Sequence, residues 1–491
     1  MGTPKLAPRD QAIYLRAVDA TGPELLLDLD ALEGGRRERL ETALRAAIRE
    51  GRLRPGDRLP ATRALAAELG CSRWVVVEAY DQLAAEGWIE GRAGSGTRVR
   101  ARARAGETPA ALRSPARPRT YAFTTGLPDL IAFPRAAWLR ALRQAVRTAP
   151  AADLGHNDPR GMPALRAELA AYLARVRGVH AHPAGVAVTH GFTHGLGLLC
   201  HALREAGHER LALEDPGFPL LAAFVRRAGL EPVYVPADDD GLRVDALAAS
   251  GARAVVTTPA HQFPLGHVLA AERRARLLAW AREVDGLVVE DDYDAEFRYD
   301  RRPVGALQGL DPERVVYAGS ASKSLAPGLR IGWLVAPRRW ARAVAEVRWG
   351  IDLGVGAIEQ LALAELLRSG GLDRHLRRTR QAYAAKRRTL LDALARELPD
   401  ARVTGVAAGL HAVVLLPPGT DEEAVVAAAA ERDVEIAALT SLYERANPPG
   451  PGLLLGYAAL SERAIAEGVR RLGEAARATQ PPSVAAPARR R

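Results

Sequence analysis

The sequence predicts a small helical module followed by a large α/β domain, and three observations carry that prediction. Over residues 36–100 apolar residues recur at helical spacing in three short segments, then give way to two strand-like runs around a Gly-rich tip. From about residue 120 short apolar runs alternate with helical segments, the rhythm of a largely parallel sheet covered by helices. Between the two, from Arg98 through Arg119, stand seven arginines and one glutamate with Pro and Ala as most of the rest. Such a stretch buries no core and reads as an extended tether. At 491 residues the chain exceeds what one core supports. The expected boundaries are an N-terminal arm over 1–35, the module over 36–100, a basic Arg/Pro/Ala linker over 101–119, the large domain over 120–475 with a smaller subdomain over about 375–475, and a disordered tail over 476–491.

Composition narrows the function classes. Apolar residues make up 48% and charged residues 26%, the balance of a soluble globular protein. No apolar run is long enough to span a membrane, and the first residues lack a secretion-signal pattern, so a cytoplasmic location is expected. Two cysteines, Cys71 and Cys200, far apart, and histidines without ligand spacing predict neither a disulfide framework nor a metal site. The net charge of +10 points to a polyanionic partner.

In the first module Leu40, Leu44 and Ile48 define a helix that Gly51 ends. Thr62 is expected to cap a short helix carrying Leu65 and Leu69, and Ser72 the next, whose inner face uses Val76, Tyr80 and Leu83. Gly70-Cys71-Ser72 has the length of a helix-turn-helix turn. Residues 88–90 and 97–99 read as two strands of a wing with Arg92 to Gly96 at its tip. Three helices and a wing with arginines at turn and tip suit double-stranded DNA, the second helix of the pair entering the major groove. The segments GRLRPGDRLPATRALAAELG and SRWVVVEAYDQLAAEGWIEGRAGSGT resemble the GntR family of winged-helix regulators from Leu40 to Val99. The resemblance implies that Arg63, Ser72 and Arg73 touch DNA, with Arg92, Gly94 and Gly96 at the wing, and Trp74 is a further DNA-binding candidate beside them. Trp74 departs from the small polar residues common there; it either reads a thymine methyl or turns inward.

In the large domain the predicted strands are 185–189, 210–213, 232–235, 254–257, 287–290, 315–317 and 332–335, with helices over 194–204, 220–227 and 270–284 among those between them. Chemistry-bearing motifs fall at the strands' carboxyl ends, where such sheets bind ligands. In Gly319 to Trp333 a lysine, Lys323, stands among serines and glycines, with Arg330 seven residues on. A lysine in such a place attacks an aldehyde to form an imine, and an arginine with serines grips a phosphate; together they suggest pyridoxal 5'-phosphate (PLP). His190 to Thr193 opens a helix, a ready anion site. Phe218, after Glu214-Asp215-Pro216-Gly217, offers a stacking ring. Glu290-Asp291-Asp292-Tyr293-Asp294 crowds carboxylates that repel unless a cation neutralises them; a protonated pyridine nitrogen is one such cation. A divalent metal is the rival, without a matching ligand set.

The motifs GHNDPRG, RGV (Arg177 to Val179), EDPGF, TPAHQFPLG, EDDYDAEFRY, SASKSLAPGLRIGW and LGYAALSERAI follow one another in an order that resembles fold-type I aminotransferases. With the front module the whole chain resembles MocR/GabR-type regulators. The resemblance implies that Lys323 carries PLP, Asp291 pairs with the pyridine nitrogen, Tyr293 and His261 (or Gln262) meet the ring oxygen, and Phe218 stacks. It implies that Gly191, Phe192, Thr193, Ser320, Ser322 and Arg330 hold the phosphate. It also implies that Asn157 reaches toward the neighbouring site of a homodimer. The arginine with which aminotransferases hold a substrate carboxylate is missing from Leu453 to Ala458; Arg445 is the nearest candidate. The expectation is therefore a PLP-responsive, homodimeric DNA-binding transcriptional regulator that senses PLP, an amine or an amino acid, rather than an enzyme. The alternative is an active aminotransferase with an accessory DNA-binding domain.

Overall fold

The computed structural model of the chain describes residues 13–15, 25–27, 29, 32–92, 96–100, 119–300 and 304–479. It divides into two compact units, 1–116 and 117–491. The linker expected over 101–119 lies, except for Arg119, outside the described residues, as do Gly94 and most of the arm.

In the first unit β1 (Ile13–Leu15) pairs antiparallel with β2 (Leu25–Leu27). Helices α1 (Arg36–Arg49), α2 (Thr62–Glu68) and α3 (Arg73–Ala85) follow, then the hairpin of β3 (Ile89–Arg92) and β4 (Gly96–Val99). The helical spacing read from the sequence is the packing face: Leu40, Leu44, Leu65, Val76 and Leu83 are fully buried, and Ile89 and Val99 close the core from the wing. Tyr80 sits in the same core with its hydroxyl donated to Pro60 O at 3.0 Å. Thr62 does not cap α2, as expected from the sequence; it is the first helical residue, Ala61 is the cap, and the Thr62 hydroxyl lies 3.4 Å from Arg73 Nε instead. Ser72 occupies the cap position of α3 without a capping bond from its side chain.

The second unit opens with β5 (Tyr121–Ala122), α4 (Arg135–Thr148) and α5 (Pro163–Arg177). The alternating part then runs β6 (Val186–Thr189), α6 (Phe192–Glu205), β7 (Arg210–Asp215), α7 (Leu220–Arg227), β8 (Glu231–Asp238), β9 (Gly241–Leu242), α8 (Val244–Ala249), β10 (Ala254–Thr257), α9 (Ala271–Glu283) and β11 (Leu287–Asp291). β12 (Val315–Ser320), α10 (Ala321–Ser324), β13 (Gly332–Val335), α11 (Arg338–Trp349), α12 (Ala357–Arg368) and the long α13 (Gly371–Glu397) complete it. β14 (Arg402–Thr404), β15 (His411–Leu415), α14 (Glu422–Glu431), β16 (Val434–Glu435), β17 (Ala437–Ala438), β18 (Gly452–Gly456) and α15 (Glu462–Thr479) form the C-terminal part. Thus α15 extends past residue 476, where the tail was expected to begin.

All seven predicted apolar runs enter one eight-stranded sheet, ordered β6-β13-β12-β11-β10-β7-β8-β9. The strands from β12 to β8 are parallel, while β13 runs antiparallel to both its neighbours. Val255, Val288, Val315 and Val316 are fully buried because helices cover both faces of the sheet. A smaller sheet, β14-β15-β18-β17, shares a hydrophobic core with α13 and α15. The short parallel ladder of β5 with β16 ties the start of the unit to this C-terminal part.

Candidate ligand pocket and nucleic-acid surface

The parallel strands end on one side of the large sheet, and their loops enclose a cavity of about 290 Å³. Lys323, Asp291, Tyr293, Phe218, Phe192, Thr193, Ser320, Ser322 and Arg330 all line it. β12 and the one-turn α10 present Lys323, whose Nζ donates to Gly126 O at 2.6 Å. Burial lowers the Lys323 ammonium below the ordinary lysine range, against the upward pull of Asp291 and Asp294. A side chain at Gly126 would put its Cβ 2.8 Å from Nζ, so glycine there leaves room for the lysine to swing.

Asp291 ends β11 with a carboxyl that accepts no hydrogen bond from the described residues. Burial first, then the Asp292 charge, push it well above the ordinary carboxylate range. An acid so placed calls for a cation from outside the chain. The other carboxylates of the crowded motif each have a partner within the chain, although Asp292 Oδ1 is buried without one. Asp292 Oδ2 accepts from Arg177 Nε at 2.7 Å and Tyr317 Oη at 2.8 Å, both members of the ion pair being 2% exposed. Glu290 accepts the backbone N–H groups of Leu307 and Gln308 at 2.8 and 2.9 Å. Asp294 meets His261 Nδ1 at 2.9 Å. One acid of the group is left for a ligand.

Burial, then the charge of Asp292, raises the Glu290 carboxyl to about 7. A folded-state value above the unfolded one contributes stability that is complete below the ordinary carboxylate range and is lost as pH rises through about 7. Glu290→Gln, which mimics the protonated acid, is expected to flatten this part of the Tm-versus-pH curve between pH 4 and 8; scanning calorimetry across that window checks it.

The far end of the pocket is built for an anion. Gly191, at φ +91°, caps α6, and the first turn of that helix brings Phe192 and Thr193 to the wall. Arg330 holds the left-handed conformation at φ +51°, uncommon for a residue with a side chain. Its guanidinium donates to His190 O at 2.5 Å and passes so close to Gly191 that a Cβ there would lie 3.3 Å away. Ser320 and Ser322 join through a 2.8 Å hydroxyl contact. Behind this cup the His190 N–H donates to His194 Nδ1 at 3.1 Å, which puts the ring's proton on Nε2, 3.2 Å from Asp352. Asp352 in turn holds the buried Arg348 at 2.8 Å.

Two residues expected at this pocket stand elsewhere. His261 does not line the pocket: 4% exposed, its Nδ1 serves Asp294 and, at 3.1 Å, Tyr293 Oη, so it orients the tyrosine rather than facing the cavity. Gln262 is fully engaged, donating to Pro216 O at 2.9 Å and Phe263 O at 2.7 Å; Phe263 reaches the wall instead. Asn157, expected at the neighbouring site of a homodimer, donates to Asp153 O at 2.7 Å. Phe218 is 45% exposed and meets Phe263 in a T-shaped pair, its one ring contact among the described residues.

Sequence reasoning missed His411, which comes to the wall from β15 of the smaller sheet, and the mouth loop around Glu444. Asp215, 1% exposed, pins that loop by accepting the backbone N–H groups of Glu444, Arg445 and Ala446 at 2.8, 2.7 and 2.6 Å. The EDPGF motif contained Asp215, but nothing local to it announces a partner more than two hundred residues away. Arg445 lays its guanidinium over the Tyr234 ring, 5.7 Å from the centroid, and does not line the pocket.

On the first unit Arg63, Ser72 and Arg73 are exposed, and Trp74 turns outward at 64% exposure. Gly96, at φ +82°, begins β4, where a Cβ would meet Arg58 Nε at 2.9 Å. Only the backbone of Arg92 is described, in β3.

Comparison with known proteins agrees with both halves. Residues 36–99 match the gntR family of bacterial regulatory proteins, and residues 131–472 match aminotransferase class I and II. The chain is 35% identical to the pyridoxine biosynthesis transcriptional regulator PdxR of Corynebacterium glutamicum, over 86% of this chain and 92% of that one. It is 33% identical to the transcriptional regulator TauR of Rhodobacter capsulatus, over 91% and 97%. Among solved structures it resembles an archaeal alanine:glyoxylate aminotransferase (28% identity, TM-score 0.67, 73% of this chain and 91% of that one). It also resembles the α-aminoadipate aminotransferase LysN of Thermus thermophilus, solved with N-(5'-phosphopyridoxyl)-L-leucine (28% identity, TM-score 0.64, 73% and 92%). The chain belongs to the MocR-type transcriptional regulators, in which a GntR-type DNA-binding module and an aminotransferase class I and II domain share one polypeptide.

Proposed function

We propose that the large unit binds PLP and uses it to sense an amine, and that the occupied pocket changes how a homodimer binds DNA. One observation carries the cofactor reading: in a single cavity, an acid without a hydrogen-bond partner among the described residues, a lysine with a lowered proton affinity and an anion cup converge. These are the three complements of a pyridinium, an aldehyde and a phosphate. When bound, PLP supplies an aldehyde carbon that primary amines capture reversibly. Lys323 provides the first amine and Asp291 the counter-charge for the ring nitrogen. Tyr293, held by His261, donates toward the ring oxygen. Gly191, Thr193, Ser320, Ser322 and Arg330 take the phosphate, and Phe218 covers a ring face.

Arg63, Ser72, Arg73 and Trp74, with the wing from Arg92 to Gly96, are the DNA-facing set, supported by their shared exposure on α2 and α3. Arg73→Ala is expected to weaken operator binding by about 1–3 kcal/mol if it reads a guanine, and Trp74→Ala by a comparable amount. Mobility shifts on the protein's own upstream region, beside circular dichroism of each variant, measure this. Exposed apolar side chains at Ile131, Leu139, Val146, Trp349 and Ile351 support a subunit interface on the large unit. To invert a 1:99 balance between two arrangements the ligand must favour one by about 5.5 kcal/mol.

The decisive experiment is a titration with PLP and with amines, followed by visible absorbance and repeated in a DNA-binding assay. A visible band at Lys323 together with a ligand-dependent mobility shift supports the reading; no visible band sinks it. The alternative, an active aminotransferase, draws on Lys323 and Asp291 sharing one pocket. Turnover of an amino acid with a keto acid at ordinary enzyme rates, about 1 per second or more, would establish it.

A further inference from the structure

We infer that the amine sensed in this pocket lacks a carboxylate and carries a second positive charge, which Glu444 receives at the mouth. The inference rests on the proposal that Lys323 and its neighbours hold PLP, and names the ligand class for that same site. It comes from a census of charge around the cavity. Two cationic side chains line it, Lys323 and Arg330. Lys323 stands at the aldehyde end and, once another amine takes its place there, is a buried amine whose proton affinity burial lowers; Arg330 is fixed over Gly191 by its bond to His190 O. His411 is uncharged at neutral pH, since burial and then the neighbouring His261 drive it down to about 4.

Four acids line the same wall: Glu214, Asp291, Asp294 and Glu444. Glu214 is enclosed by Thr257, Thr258 and Gln262, Asp294 is taken by His261, and Asp291 faces the place of the cofactor ring. Glu444 remains. It is exposed, its carboxylate has no ion-pair partner among the described residues, and the three bonds to Asp215 hold its backbone in place. Nothing on the smaller sheet reverses the balance. Leu453, Leu454 and Leu455 are at most 1% exposed, Leu454 packing with Leu265, Val413 and Leu439. A further cation, Arg445, lies over the lining Tyr234 ring rather than in the cavity, so a ligand carboxylate entering here would lose water without a free cation lining the cavity to receive it, which is costly. An ammonium group gains one, and the remaining wall of Tyr234, Phe263, Leu410 and Leu442 suits the methylenes between two amino groups.

The experiment titrates the full-length, PLP-loaded protein with 1,4-diaminobutane, butylamine and 4-aminobutanoate, reading the shift of the visible band. The expected result is that the diamine half-saturates at a concentration at least tenfold below either competitor. In Glu444→Gln that preference falls to about that of butylamine, and in Glu444→Arg 4-aminobutanoate overtakes the diamine. Equal or tighter binding of 4-aminobutanoate by the unaltered protein overturns the inference. So does a diamine preference that survives Glu444→Gln, or a PLP band that none of the three amines moves. Absence of the band before any amine is added instead defeats the cofactor proposal, so the two failures are told apart.

Discussion

Lys323→Ala is expected to abolish the visible PLP band and every amine response while leaving the first unit able to bind DNA. The lysine lines the cavity and donates to Gly126 O, and it is not part of the core of either unit, so the fold has little to lose. The loss is measurable without spectroscopy. At about 100 times its Kd a ligand stabilises its protein by about 2.7 kcal/mol. The PLP-dependent rise in Tm seen with the unaltered chain should therefore shrink or vanish in the variant. Lys323→Arg keeps the charge but not the nucleophile, and is expected to lose the band as well. A variant that still forms the band would mean that another amine holds the aldehyde.

The largest effect on stability is expected from Arg177→Met. Arg177 and Asp292 form an ion pair with almost no contact with water, reinforced by Tyr317 and by Val304 O. Removing one partner of such a pair costs about 3–5 kcal/mol, because the other charge stays buried and unanswered. Burial opposes the Arg177 charge, yet the Asp292 carboxylate more than offsets it, raising the guanidinium above its ordinary range. The double variant Arg177→Met with Asp292→Leu removes both charges and is expected to recover part of the loss; denaturant unfolding of the three proteins gives the coupling. Since Asp292 adjoins Asp291 in sequence, the single variant should also weaken PLP binding, which the double variant tests by separating charge from position.

What could be read from the sequence was local. The lysine segment, the arginine seven residues on and the acid at the end of β11 are each set by a strand and the turn that follows it, so their residue pattern carries their placement. The winged module was legible for the same reason: Leu40, Leu44, Val76 and Leu83 advertise their faces by spacing alone. Long-range arrangement was not. His261 sits in a strand-end loop and was expected at the ring, but Asp294, thirty-odd residues away, draws its nitrogen inward. The crowded carboxylates looked like one charge problem, whereas the fold solves it piecemeal with Arg177, His261 and two backbone amides, leaving Asp291 as the one without a hydrogen-bond partner among the described residues. Neither His411 nor the Asp215 clamp on residues 444–446 had a signature in its own segment. The Thr62 expectation failed because a hydroxyl at a helix start can equally be the first helical residue.

The ladder between β5 and β16 has a mechanical meaning. The chain emerges from the linker at Arg119, which donates to Ala430 O, and Thr120 donates to Asp433 at 3.2 Å. Tyr121 and Ala122 then lie along Val434 and Glu435. The tether to the DNA-binding module is thus moored to the C-terminal part, the same part that supplies His411 and the mouth loop to the pocket, and not to the eight-stranded sheet. If ligand uptake moves that part against the large sheet, Arg119 and Thr120, with which the described chain of the second unit begins, move with it.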